Sequence, residues 1–257
     1  MYTYNIESFL AGHTFAFLLL LCRIGAFLMV VPGFGEKFVP VRIRMVFACL
    51  ICLLIVPPFA SLMPPIPQST ALLAVIIFKE MLIGVFFGIL VRMLLLTLDA
   101  AGAVIGMHSG LSNANTMNPA LMSQSQLPST FLTMSGIVMI FVIGLDHYLI
   151  KTLIALYNSF PVSDAPLMLG DMSKTVMTTA SRTFSFGASL AAPFFVIGLL
   201  IYATTGIIQR LLPSIQLFFL MLPIQIWGGL ALMLLTVSVI LSLWVQFFEN
   251  SVSTFFL

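Results

Sequence analysis

Residues 100–130 read AAGAVIGMHSGLSNANTMNPALMSQSQLPST, and this stretch decides what kind of fold the chain can have. No Lys, Arg, Asp or Glu occurs between positions 100 and 145. A surface loop of about 30 residues normally carries charge, and a lipid-facing helix excludes this many small polar groups, because an unpaired amide in hydrocarbon costs several kcal/mol. We therefore do not expect an ordinary membrane helix here. The composition indicates backbone that is buried in protein or lines an aqueous passage, as in a pore, a gate or an assembly core.

The composition of the whole chain agrees with burial in a membrane or a large complex. Of the 257 residues, 61% are hydrophobic and 7% are charged, against roughly 25% charged in soluble proteins. A soluble fold of this size could not cover itself with so few charges. The formal net charge of +2 is too small to indicate a nucleic-acid partner.

Six apolar stretches have about the length that a bilayer requires, close to 20 residues. They cover residues 14–32, 41–61, 70–97, 129–157, 184–208 and 216–247. The strict alternation of a membrane β-strand is absent, so we predict an all-α fold of about six long hydrophobic helices. Residues 57–68 are proline-rich and predict a stiff link, and residues 158–183 form the one fairly polar connection. Pro213 and Pro223 bracket a helix start or a kink.

Several charged residues lie within or beside these stretches, where they are costly in lipid and usually face a cavity or a partner. Arg92 and Asp99 are two helical turns apart on one face, close enough to pair directly or through a water. Lys79 and Glu80 are adjacent and point in different directions, which indicates two separate partners. The alternatives are structural pairing within an assembly and ion or proton transport. The charges that we predict to be buried and to hold an assembly together are Arg23, Lys79, Glu80, Arg92, Asp99 and Arg210.

Sequence signatures of enzymes are missing. There is no HExxH, no phosphate-binding G-x-x-x-x-G-K-[ST] and no dinucleotide fingerprint, and the three histidines are scattered without metal-ligand spacing. Cys49 and Cys52 form C-x-x-C without a second pair, which favours packing over redox or metal chemistry. His108 and Ser109 are adjacent but have no general base at helical spacing. We predict a protein that is not an enzyme and has no cofactor or metal.

Short segments along nearly the whole chain, taken in order and spacing, resemble the FliR/SctT family of the flagellar and type III secretion export apparatus. The N-terminal ones are R-I-G (23–25), P-G-F-G (32–35), V-P-V-R-I-R (39–44), K-E-M-L-I-G-V-F-F-G (79–88) and D-A-A-G-A-V-I-G (99–106). The later ones are G-L-S-N-A (110–114), N-P (118–119), G-L-D-H-Y-L-I (144–150), S-F-P (159–161), A-P (192–193), G-I-I-Q-R-L-L-P (206–213) and L-P-I-Q-I-W-G-G-L (222–230).

The resemblance implies a fold, a set of partners and a location. The helices would form hairpins, with residues 1–183 FliP-like and residues 184–257 a FliQ-like C-terminal hairpin. One copy would join several FliP-like and FliQ-like subunits in a cone-shaped helical export gate, lifted largely out of the bilayer. Further implied partners are FlhB-like and FlhA-like export proteins, unfolded exported proteins in transit, and membrane lipid. The gate would lie in the bacterial inner membrane, within the flagellar basal body.

In the family the polar central loop projects into the channel and helps close it, so the resemblance implies that residues 106–122 are a pore loop or plug. The loop residues that this concerns are Met107, His108, Gly110, Leu111, Ser112, Asn113, Asn115, Met117, Asn118, Pro119 and Met122. The alternative for the loop is an inter-subunit packing element. The alternative for the whole protein is a secondary transporter or ion channel, with the intramembrane charges as its site.

Overall fold

The computed structural model describes residues 6–59, 64–67, 69–112, 126–162, 169–211 and 217–256, and all regular secondary structure in these ranges is helical. Eight helices lie within them: α1 (Ile6–Val30), α2 (Val41–Phe59), α3 (Thr70–His108), α4 (Leu127–Val142), α5 (Leu145–Ser159), α6 (Leu169–Leu190), α7 (Ala192–Leu211) and α8 (Leu217–Phe256). The prediction of an all-α fold of long hydrophobic helices is confirmed, with two more helices than predicted.

The first two helices form a hairpin. α1 packs along α2, and the turn between them contains Gly33, whose φ of 90° lies in the left-handed region that glycine adopts without strain. α2 follows Pro40 directly and contains Pro57 and Pro58 just before it ends at Phe59. Because proline lacks the backbone N–H and clashes with the preceding turn, this pair weakens the last turn of the helix.

The first part of the uncharged stretch 100–130 belongs to a helix. α3 runs over 39 residues, about 58 Å at 1.5 Å per residue, so positions 100–108 continue a helix that we predicted to end near position 97. The reason is packing. Gly102 and Gly106 bring the α3 backbone close to the residues that begin α4, and this contact outweighs the low helix propensity of glycine.

Two apolar stretches that we predicted to be continuous are broken. The stretch 129–157 is divided into α4 and α5 at Gly144, whose φ is 79°. The stretch 184–208 is divided at Ala191, between α6 and α7. Pro193 explains the second break, because it has no N–H to donate to the last turn of α6 and fits the first turn of a new helix.

The predicted polar connection at 158–183 is also helical over much of its length, because α6 begins at Leu169. The buried residues of α6 include Thr179, Thr183 and Gly187, which are spaced four apart on one face. Small and weakly polar residues make this face, so a search for apolar runs misses it although its period is helical.

Within the described residues, five helices are long and apolar enough to cross a membrane, or six if α4 and α5 form one broken span. The protein is therefore an all-α membrane protein. α8 has 40 residues, about 60 Å, and includes Pro223, while Pro213 lies outside the described residues. α3 and α8 are each about twice as long as the hydrocarbon core of a bilayer is thick, roughly 30 Å.

The contacts divide the chain into two compact units. The first comprises Met1–Arg92, Gly144–Met177 and Phe255–Leu257, and the second comprises Met93–Ile143 and Thr178–Thr254. In the first unit, Phe15, Leu19 and Ile76 form a buried cluster. Gly84 of α3 lies directly on the Arg23 carbonyl of α1, where a side chain would overlap it.

The second unit is built around a buried tryptophan. Trp244 is fully buried, and its indole N–H donates to the Leu94 carbonyl at 2.9 Å. Gly136 and Gly187 lie against α3, at Leu98 and at the Thr97 carbonyl respectively. The predicted division into a FliP-like part (1–183) and a FliQ-like part (184–257) concerns likeness to other proteins and stays a prediction.

Candidate functional site

The C-terminal end of α3, where the predicted pore loop begins, is held by polar contacts within the second unit. A helix normally ends with four carbonyls that lack intrahelical partners. Here the Gly106 carbonyl accepts the backbone N–H of Ser112 at 3.1 Å. The Met107 carbonyl accepts the Tyr202 hydroxyl of α7 at 3.4 Å, and the His108 carbonyl accepts the Gln225 side-chain amide of α8 at 3.0 Å.

Glycines on the neighbouring helices make this end close-packed. Gly198 of α7 lies against the imidazole ring of His108, and Gly229 of α8 lies against Ser109, where a side chain on either glycine would overlap its neighbour. Gly110 has a φ of 73°, which only glycine adopts without strain, so the chain turns sharply just after the helix. The end of α3 is therefore closely packed, and its last four carbonyls all accept hydrogen bonds.

The two ends of the loop meet at the same turn of α3. Both the Ser112 hydroxyl oxygen and the Gln126 side-chain carbonyl oxygen lie against Gly106, where a Cβ would overlap the Gln126 oxygen and crowd the Ser112 oxygen. Both oxygens are buried, and neither has a hydrogen-bond partner among the described residues. Ser112 and Gln126, the described residues on either side of positions 113–125, therefore both lie at one turn of α3.

Of the predicted loop residues, Met107 and His108 are in the last turn of α3, and Gly110, Leu111 and Ser112 follow it. The remaining ones lie outside the described residues: Asn113, Asn115, Met117, Asn118, Pro119 and Met122.

A buried ion pair lies in the first unit. The Arg23 guanidinium of α1 binds the Glu80 carboxylate of α3 through two hydrogen bonds, at 2.7 and 2.9 Å, with side chains 0% and 2% exposed. Arg23 also donates to the Phe160 carbonyl at 2.9 Å. Its guanidinium carbon lies 3.7 Å from the centroid of the Tyr157 ring, whose hydroxyl donates to Glu80 at 3.4 Å. This bidentate pair neutralises both charges and ties α1, α3 and α5 together.

The other predicted charges have different environments. Arg92 is 44% exposed, donates to the Val30 carbonyl at 3.2 Å and lies 3.9 Å from the Glu36 carboxylate. Asp99 is half-buried and accepts the Ser129 hydroxyl. Arg92 and Asp99 therefore each contact other residues, and do not form the pair with each other that we considered. Lys79 is half-buried and Arg210 is exposed.

Sequence reasoning missed the residues that hold the end of α3, above all Gln225 and Tyr202. The signal was present, because Gln225 and Gly229 both belong to the quoted segment L-P-I-Q-I-W-G-G-L, and a lone amide in an apolar run needs a polar partner. Nothing in the sequence indicated that this partner would be the carbonyl of His108, which is 117 residues earlier.

Comparison with known proteins gives a consistent result. The family described as bacterial export proteins, family 1, matches residues 14–251. The flagellar biosynthetic protein FliR of Caulobacter vibrioides is 32% identical over 237 residues, which cover 92% of this chain and 94% of that protein. FliR of Bacillus subtilis is 28% identical, covering 88% and 87%. The Yop proteins translocation protein T of Yersinia pestis is 27% identical, covering 80% of each.

Proposed function

The chain belongs to the bacterial export proteins of family 1, the FliR/SctT family, and on that premise we propose that it is a structural, non-enzymatic subunit of the flagellar protein-export gate. With FliP-like and FliQ-like subunits it forms the channel through which unfolded proteins cross the inner membrane. FlhB-like and FlhA-like export proteins act at the same apparatus. The flagellar assignment rests on the FliR relatives, since Yop proteins translocation protein T is less similar than FliR of Caulobacter vibrioides.

The unpartnered surface of the C-terminal helices supports assembly with other subunits. In α7 and α8, only 11% of the residues in the apolar spans are buried, against 50% in α1 and 56% in α3. α3 and α8 are also too long for one bilayer crossing, so a large part of each needs cover from protein outside the hydrocarbon. Neighbouring subunits provide this cover in the proposed gate, and residues 184–257 are its FliQ-like hairpin.

The observation that carries the pore-loop proposal is that the residues on either side of the loop meet at the C-terminal end of α3. Ser112 and Gln126 both meet Gly106, and Tyr202 and Gln225 bond the last carbonyls of α3. A segment attached at one rigid point can be displaced by a passing chain without disturbing the helices that hold it. We propose that the loop at 106–122 obstructs the passage at rest, that residues 106–112 are its fixed base, and that residues 113–122 move aside for a substrate.

The experiment removes the loop and keeps its base. Deleting residues 113–122 should leave complex recovery with FliP-like and FliQ-like subunits unchanged, and should make the membrane leaky to ions. Replacing the same ten residues by a Gly/Ser linker of equal length is the matched control, because it keeps the closed base and removes the side chains. Loss of the complex would make the loop an inter-subunit packing element, and an intact complex without leakage would contradict the plug.

Among the described residues, the buried charge pair does not favour the transporter or ion-channel alternative. An intramembrane charge site needs a group that is available to bind an ion. Both oxygens of the Glu80 carboxylate already accept hydrogen bonds from Arg23, and Tyr157 donates to one of them.

A further inference from the structure

The turn between α1 and α2, taken together with the first turn of α2, has an unusual set of exposed side chains. Lys37 and Arg42 are exposed, and neither has a hydrogen-bond or ion-pair partner among the described residues. Phe38 lies between them in sequence and is 61% exposed, and Val41 and Ile43 are exposed as well. Two unpaired cations therefore lie in a short exposed segment that also carries large apolar side chains.

The turn that presents these side chains is braced from inside. The Arg44 guanidinium donates to the Glu36 carbonyl at 2.5 Å and to the Val39 carbonyl at 2.8 and 3.1 Å. Phe34 stacks on Phe47 at 5.2 Å. Because Arg44 is used within the turn, Lys37 and Arg42 are the basic groups of this turn that remain available to an outside partner.

The charge of the turn stands out in a chain with few charges. Residues 36–44 carry three basic side chains and one acidic one, a net of +2 that equals the formal net charge of the whole chain. All other charged residues therefore cancel. The nearby Glu36 is occupied on one side, since its carboxylate lies 3.9 Å from Arg92.

The place of the turn in the membrane follows from the helices that it joins. Phe9–Val30 and Val41–Phe59 are both long and apolar enough to cross a bilayer. A connection of ten residues between two such spans lies at a membrane surface. At that depth the available anions are the phosphates of lipid headgroups, and exposed aromatic and aliphatic side chains reach the acyl region.

We propose that Lys37, Phe38 and Arg42 form a binding site for anionic phospholipid, with the two cations on the headgroup phosphate and Phe38 in the acyl boundary. The site anchors the α1–α2 hairpin at one membrane surface and fixes its depth. An acidic protein surface is the competing occupant, and the experiment below distinguishes it from lipid. The proposal requires that the α1–α2 hairpin reach the bilayer, and does not depend on the function of the central loop.

The test measures lipid binding by the chain together with whatever subunits copurify with it. The purified, delipidated material is titrated with phosphatidylglycerol or phosphatidylcholine, and bound lipid is counted by native mass spectrometry. At about fivefold per cation, the double variant Lys37→Gln/Arg42→Gln should bind phosphatidylglycerol roughly 25-fold more weakly, with phosphatidylcholine unchanged. Phe38→Ser should weaken both lipids.

The matched control removes two exposed cations elsewhere. Lys151→Gln/Arg182→Gln changes the net charge equally and should leave phosphatidylglycerol binding unchanged. An equal loss of phosphatidylglycerol binding in this control would show that the effect depends on overall charge, and would contradict the proposed site. Unchanged lipid binding with loss of a copurified subunit from the Lys37→Gln/Arg42→Gln variant would assign the surface to a protein instead. Full competition by glycerol phosphate, which has no acyl chains, would make it a free-phosphate site.

Discussion

Arg23 and Glu80 neutralise each other where neither can reach water. Burying two ions costs several kcal/mol each, and only good geometry and further hydrogen bonds recover it. The carbonyl of Phe160 and the ring and hydroxyl of Tyr157 supply those additional contacts. The pair therefore links helices within the first unit of this chain, which refines the expectation that these charges hold an assembly together.

Removing one member of this pair should be far more harmful than removing both. Glu80→Ala leaves a buried uncompensated cation and should destabilise the protein by about 3–5 kcal/mol, whereas Arg23→Met/Glu80→Met should restore most of that loss. Thermal unfolding of the detergent-extracted complex measures both. Glu36→Ala is the control, because its pair with Arg92 is partly exposed and is worth at most about 1 kcal/mol. A Glu80→Ala complex of normal stability that lost proton-coupled activity would contradict this role and favour a transporter.

For the individual helices, the sequence predicted where a helix occurs better than it predicted where the helix begins and ends. Hydropathy located α1, α2 and the apolar parts of α3 and α8, because these segments are apolar throughout. It missed the extension of α3 to His108, because glycines make the contacts there and glycine has no hydropathy signal. It also missed the start of α6 at Leu169, because Asp171, Ser173 and Lys174 make the first turns of that helix polar. The loop could be placed by its composition, but the meeting of its ends at Gly106 depends on contacts across the sequence.

The junction at the end of α3 gives an element-scale prediction. Gln225→Leu keeps the side-chain volume and leaves the buried His108 carbonyl unpaired, which should cost about 1–3 kcal/mol and loosen the turn that follows. Hydrogen exchange of the complex should then increase at the amides of residues 109–112. Gln209→Leu, an exposed position on α7, is the control and should change neither stability nor exchange. Unchanged protection in Gln225→Leu would mean that the amide does not hold the junction.

The behaviour of the whole protein depends on the apolar surface that its own helices leave exposed. α7 and α8 expose large apolar side chains along most of their length, among them Leu200, Trp227 and Leu234. Lipid can cover such a surface only over about 30 Å, and α8 alone is about 60 Å long, so half of it would face water in an isolated chain. Exposed apolar patches of this size mark protein interfaces or cause aggregation.

We therefore expect the chain to be stable only together with its partner subunits. Expressed alone and extracted in mild detergent, it should aggregate or be degraded, because detergent covers a belt of bilayer thickness and leaves the remaining apolar surface in water. Co-expression with FliP-like and FliQ-like proteins should yield a monodisperse complex on size-exclusion chromatography. Co-expression with the FliQ-like protein alone is the informative control, because it covers less of the exposed apolar surface and should yield less soluble complex. A folded, monodisperse monomer obtained without partners would show that the exposed faces of α7 and α8 are lipid-facing and would remove the main support for the assembly.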